Sequence, residues 1–248
     1  MRLLLLWIFY ATALSVGLSG RGFRSAASDA NAGAEGSPNR VLIVGATGGT
    51  GRHLIAQALE RGHVVTALAR DPSALRIEHP RLRVMQGDVL DYPSVEAAVR
   101  GQDVVISALG HKRFFQPTHI LSEGTRNLLQ ALETRGVPRF VCETALGIGD
   151  SAGRMGVYYT FFVIPFILPF YFWDKARQER VIAANRLNWV MVRPGALTNG
   201  AKRGRYRHGP NVGSFLSTVR ISRADVADFM LNQMTDNTYL RSAPGVCW

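Results

Sequence analysis

Two residues one helical turn apart, Tyr171 and Lys175 in Tyr171-Phe172-Trp173-Asp174-Lys175, could do proton chemistry. A spacing of four places a phenol and an ammonium on one helix face. Reducing a carbonyl with a hydride requires a proton donor at the oxygen, and something that keeps the donor acidic enough near neutral pH. A second pattern lies near the other end of the chain. Val41-Leu42-Ile43-Val44 runs directly into Gly45-Ala46-Thr47-Gly48-Gly49-Thr50-Gly51. In such a loop Gly45 permits the tight turn out of a strand. Gly48 lets the backbone approach a pyrophosphate, and Gly51 lets the following helix pack on the strand. Thr47, Gly49 and Thr50 complete the loop. A helix that starts there presents unpaired N–H groups and positive potential to phosphates.

The elements around these residues alternate. Short Val/Ile/Leu runs predict strands at 41–44, 64–69, 82–86, 104–108, 140–144 and 189–192. Amphipathic stretches predict helices over 50–61, 94–100, 118–135, 174–185 and 223–234. Strands with no polar alternation are buried on both faces. Interleaved with helices, they specify α/β architecture: a doubly wound parallel sheet in a single Rossmann domain over residues 39–248. The second strand ends at Arg70, nineteen residues past Gly51, where a dinucleotide site for NAD carries an acidic residue for the ribose 2′-hydroxyl. An arginine there suits a 2′-phosphate, with Arg52 as a helper, so the expected cofactor is NADP(H).

The glycine motif, with Asp174-Lys175-Ala176-Arg177-Gln178-Glu179, Val192-Arg193-Pro194-Gly195 and Ser222-Arg223-Ala224-Asp225-Val226-Ala227, resembles atypical and extended short-chain dehydrogenases/reductases. These include the NmrA-like and biliverdin-IXβ-reductase-like groups, and the resemblance covers nearly everything from residue 39 to the C-terminus. It implies that Asp88, followed by Val89, meets the adenine, and that Ala108-Leu109-Gly110 lies along the nicotinamide half. It further implies that Lys175 lowers the Tyr171 pKa and binds the nicotinamide ribose. A hydroxyl at the end of the fifth strand would orient the substrate oxygen. Thr144 holds that position where relatives carry serine, and its neighbour Glu143 offers an alternative acid/base. The implied activity is NADPH-dependent hydride transfer to a carbonyl or conjugated, apolar small molecule. A non-catalytic NADP(H)-binding redox sensor or assembly factor is the alternative. A sugar-nucleotide epimerase fits less well, given Arg70 and the short C-terminal part.

The aromatic run at 158–173 reads first as core packing, and second as an apolar wall or lid over the nicotinamide that could dip into a membrane. Pro165 and Pro169 argue against a spanning helix there. Residues 3–18 are apolar and uncharged behind Arg2, as in a signal peptide or membrane anchor over 1–20, with a Ser/Gly/Ala/Asn-rich linker over 21–38. A secreted NADPH enzyme would lack its cofactor, so the expectation is a membrane-associated protein with a cytosol-facing domain. Organelle import, or secretion after cleavage of the leader, is the alternative. Residues 1–38 should be dispensable for folding and for NADPH binding.

The formal charge of +11 is scattered, densest at Lys202, Arg203, Arg205 and Arg207, and no nucleic-acid motif accompanies it. The six histidines and two cysteines show no metal-ligand or disulfide spacing, so no metal is expected.

Overall fold

A computed structural model describes residues 39–111 and 113–248. The expected anchor at 1–20 and linker at 21–38 lie outside the described residues. The first strand, β1 (Arg40–Val44), shows how the fold is built. Val41 and Ile43 face one side of the sheet and Leu42 and Val44 the other, all of them buried. A strand apolar on both faces must be central. β1 indeed pairs in parallel with β2 (Val64–Ala69) on one side and β4 (Val104–Ser107) on the other. β3 (Leu82–Gln86), β5 (Arg139–Glu143) and β6 (Asn188–Pro194) extend the parallel sheet. Two short strands, β10 (Gly245–Cys247) and the antiparallel β8 (Arg207–Gly209), close it in the order β3-β2-β1-β4-β5-β6-β10-β8.

Two helical layers cover this sheet. Helices α1 (Gly49–Glu60) and α5 (Arg223–Asn232) pack together on one face, where Leu54, Ile55, Val226 and Met230 meet Val41 and Ile43. On the other face lie α2 (Tyr92–Val99), α3 (Ile120–Arg135) and α4 (Pro169–Ala183), where Leu128, Leu132 and Ile182 meet Leu42, Val44 and Phe140. The strand order reverses between β1 and β4. In a doubly wound sheet, that reversal opens a crevice beyond the carboxyl ends of the strands.

The expected strands and helices are present, with three differences. Helix α4 starts at Pro169, five residues before the expected 174, so Tyr171 sits in its first turn. Proline is well suited to that opening position, because its missing N–H has no intrahelical partner there. Strands β7 (Ala196–Thr198), β8, β9 (Arg220–Ser222) and β10 were not expected. Each is three residues long, too short for a periodic pattern to show. The third difference is the aromatic run, which forms a π-helix over Tyr159–Ile167 ahead of α4. Pro165 is accommodated in its wider turns, and the Leu168 N–H closes a bond to Val163 O at 2.9 Å. Core packing describes one side only: Thr160, Val163, Ile164 and Pro165 are buried while Tyr158, Phe161, Phe162 and Phe166 are exposed. Among the described residues no helix is long and apolar enough to cross a membrane.

Candidate active site

The glycine loop leaves β1 at the crevice. Gly45 has φ +78°, and a Cβ there would stand 2.3 Å from the Ala108 carbonyl oxygen. A Cβ at Gly51 would stand 2.2 Å from the Gly45 carbonyl oxygen, so glycine at 45 lets the loop lie against the chain after β4 and glycine at 51 lets it fold onto itself. Gly48 differs. A Cβ there would meet only the Gly45 oxygen at 3.1 Å, so its outer face is open. Gly48 caps α1 without a side-chain hydrogen bond, and the first turn of α1 holds no acidic residue. The backbone donors of that turn therefore point out beside an uncrowded glycine, which fits a diphosphate.

Around this loop the side chains take definite partners. Thr50 Oγ1 donates to Glu143 Oε1 at 3.2 Å, joining α1 to the end of β5. Arg52 donates to Thr47 O (3.2 Å) and Ala74 O (2.7 Å), bracing the loop against the turn after β2. Arg70, directly after β2, is exposed, and among the described residues no hydrogen bond or ion pair engages its side chain. Asp88 Oδ1 accepts from Leu90 N–H at 3.0 Å and shapes the turn after β3. Val89 is buried, and its carbonyl accepts from Asn127 Nδ2 at 2.9 Å. Gly49 faces a residue to which the sequence reading gave no role. A Cβ at Gly49 would stand 2.4 Å from Arg223 Cδ, because the Arg223 side chain lies across the loop and donates to Asn199 Oδ1 at 2.6 Å. Arg223 stands in the Ser222–Ala227 landmark, so the signal was visible although its direction was not.

Lys175 and Tyr171 meet at the same crevice. Lys175 is 1% exposed, and its Nζ donates to Leu109 O (3.1 Å) and Glu143 O (2.7 Å), just beyond β4 and at the end of β5. The ammonium lies 5.8 Å from the centre of the Tyr171 ring. The Tyr171 hydroxyl stands 3.6 Å from where a Gly110 Cβ would be, over the loop that follows β4. His111 and Phe114 pack edge-on against the ring, with centroids at 5.0 and 5.9 Å. Burial pushes the Tyr171 phenol above its ordinary value, with Lys175 pulling in the opposite direction. Burial likewise raises the Glu143 carboxyl, opposed by Lys175, Thr50 and Arg223.

Thr144 is buried and has another partner from the one the resemblance implies. Its hydroxyl donates to Glu179 Oε1 at 2.7 Å. Glu179 in turn receives Arg193 Nε at 2.9 Å and Nη2 at 2.7 Å, and Arg193 Nη1 reaches Asp150. A threonine hydroxyl has one proton, and in this geometry it serves that network. Asp174 is also internal. Its carboxylate accepts from Leu121 N (2.9 Å), Ser122 N (3.2 Å) and Ser122 Oγ (2.6 Å), capping α3 from α4. That cap fixes the helix carrying Tyr171 and Lys175 against its neighbour. Cys142 and Cys247 are both buried and free, and no cluster of metal-ligating residues occurs among the described residues.

A family model described as NAD(P)H-binding matches residues 45–237. An uncharacterized chloroplastic protein of Arabidopsis thaliana is 30% identical over 175 residues, which is 64% of this chain and 60% of that protein. A 3β-hydroxysteroid dehydrogenase/Δ5→4-isomerase of Mycobacterium tuberculosis is 36% identical over 113 residues, 41% of this chain and 30% of its own length. The chain thus spans less than two thirds of either relative. Among solved structures, a short-chain dehydrogenase/reductase of Veillonella parvula in complex with NADP superposes with a TM-score of 0.70 at 20% identity. That match covers 85% of this chain and 94% of the other, and shows the shared fold.

Proposed function

Since the chain belongs to the NAD(P)H-binding family, we propose that it is an NADPH-dependent oxidoreductase that reduces a carbonyl or conjugated group on an apolar small molecule. The observation that carries this reading is the Tyr171 hydroxyl poised over Gly110, with the Lys175 ammonium buried behind its ring. When bound, the nicotinamide supplies a hydride. The residues that would hold the dinucleotide are Gly45 to Gly51 and the first turn of α1 at the diphosphate, and Ala108 to Gly110 and Lys175 at the nicotinamide end. Asp88 and Val89 would line the adenine end. Arg70, exposed at the end of β2, would face a 2′-phosphate, and Arg52 keeps the intervening loops in register.

The protein's own part is proton delivery. The Tyr171 phenol carries its proton at neutral pH, the state from which a donor must start, and the Lys175 charge opposes the upward push of burial that would weaken it as an acid. Tyr171 would give its proton to the oxygen of the carbonyl being reduced, and the nearby Lys175 ammonium would stabilise the phenolate left behind. His111 and Phe114 pack edge-on against the ring and would hold its orientation toward the substrate. The dehydrogenase relative with a steroid in its name, and the apolar side chains near Tyr171, support an apolar substrate.

A non-catalytic NADP(H)-binding sensor is the second reading, favoured by one observation: the Thr144 hydroxyl donates to Glu179. The test is a panel of apolar ketones, aldehydes, enones and quinones, followed by NADPH absorbance. Enzyme-dependent oxidation of NADPH by any of them supports the reductase. Tight NADPH binding with no turnover across the panel supports the sensor.

A further inference from the structure

The segment that brings Tyr171 to the crevice has an outer side that no described residue covers. The π-helix over Tyr159–Ile167 turns Phe162 and Phe166 outward, each 58% exposed, beside Tyr158, Phe161 and Ile167. Tyr158 and Phe162 stack with centroids 6.2 Å apart. A second segment joins them. Ser214 N–H donates to Arg154 O at 2.9 Å, and Phe161 meets Phe215 edge-on at 6.5 Å. The next residue, Leu216, is 79% exposed. Two stretches distant in sequence thus form one apolar surface, and a contiguous surface of this kind marks an interaction site.

The charge of these stretches narrows the occupant. Residues 151–173 hold one charged side chain, Arg154, and the adjacent Asp150 is taken up by Arg193. Residues 200–220 add the exposed Lys202, Arg203, Arg205, Arg207 and Arg220, of which Lys202 pairs with Asp228 and the side chains of the other four meet no Asp or Glu among the described residues. Exposed aromatic rings between stretches charged only positively match the boundary of an anionic bilayer, where rings settle at headgroup depth and cations meet lipid phosphates. The nine-residue π-helix is far too short to span, so it would lie in the membrane plane. We propose that this face docks on an anionic lipid surface, with Tyr158, Phe161, Phe162, Phe166, Ile167 and Leu216 entering the headgroup region. This docking is independent of the dinucleotide reading and would hold for enzyme or sensor alike.

The experiment is hydrogen exchange on the full chain with and without vesicles, read segment by segment so that any anchoring by residues 3–18 is seen separately. Phosphatidylglycerol vesicles should slow exchange several-fold over 157–167 and 213–218, and phosphatidylcholine vesicles much less. In F162S/F166S, and separately in L216S, that slowing should shrink while exchange in β1 to β6 stays as in the parent. Vesicle binding with unchanged exchange in these two segments would overturn the proposal, as would equal slowing by both lipids. Slowing that grows with protein concentration in the absence of vesicles would assign the face to a second copy. Segments already slow in dilute, vesicle-free protein would assign it to the chain's own apolar residues. Either outcome also overturns docking on lipid.

Discussion

Lys175 and Arg193 are both buried cations near the carboxyl edge of the sheet, yet their surroundings differ in kind. Arg193 is closed on every side by acid: Glu179 takes two of its N–H groups and Asp150 a third. Burial works against its charge, but those carboxylates outweigh the cost and hold the guanidinium above its ordinary value. Among the described residues, Lys175 hydrogen-bonds only to the carbonyl oxygens of Leu109 and Glu143. The carboxyl of Glu143 is close enough to feel the ammonium, but its burial pushes it toward the neutral form. A charge held by dipoles is not cancelled locally, so its field reaches the phenol of Tyr171 and the crevice. A charge held by carboxylates is consumed. On the proposed reading, Lys175 serves the chemistry and Arg193 the architecture.

The strongest way to break it is at Tyr171. Replacing the proton donor, as in Tyr171→Phe, should lower turnover by roughly 10²–10⁴-fold, with NADPH affinity almost unchanged in a fluorescence titration. Full activity in that variant would move proton delivery elsewhere, with Glu143 the first candidate. Next in size is stability. Arg193→Met strands Glu179 as a buried, unpaired carboxylate and should cost about 3–5 kcal/mol in urea unfolding. Lys175→Met leaves only carbonyl oxygens without a donor. It should cost clearly less stability while harming both turnover and NADPH binding. Equal destabilisation by the two variants would erase the distinction. Thr144→Val sharpens it further: loss of a hydrogen bond to a charged group is worth about 1.5–3 kcal/mol, and a purely architectural Thr144 would leave kcat and KM as they were.

Arg70→Ala tests the cofactor end. Losing one charge-assisted contact to a 2′-phosphate, worth about 1.5–3 kcal/mol, should weaken NADPH by about one to two decades and leave NADH unaffected. Equal affinity of the parent protein for both dinucleotides would defeat the assignment.

The smallest effect concerns pH. Glu143 binds its proton more tightly folded than unfolded, because burial outweighs the cations and the Thr50 hydroxyl. Ionising it therefore costs the folded state. Its contribution to stability should fall as pH rises through the unfolded glutamate value of about 4.3 toward the folded one. Subtracting the urea-stability profile of Glu143→Gln from that of the parent isolates this slope. A difference that rises with pH would show that Lys175, Thr50 and Arg223 dominate instead.

How much of this was legible in the chain follows from the range of each interaction. The glycine loop, the buried strands and the exposed cation nineteen residues past Gly51 depend on local backbone conformation and on side-chain period. Both are written in neighbouring residues. The Tyr171–Lys175 pair was legible for the same reason, since four residues are one helical turn. Even so, the start of α4 was missed, because the π-helix before it hides the change of period. The partners of Thr144, Glu143 and Gly49 were not legible. Thr144 meets Glu179 thirty-five residues on, and Thr50 meets Glu143 ninety-three residues on. Such meetings depend on how α1, α4 and α5 dock on the sheet.

The aromatic run shows the same boundary most clearly. Its composition determined that the segment would be apolar, and its prolines that it would not be one regular α-helix. Which rings would be buried was decided only when the wider π turns rotated Phe162 and Phe166 away from the core that holds Val163 and Ile164. Hydropathy belongs to each residue by itself, whereas burial belongs to the surface against which the residue is turned.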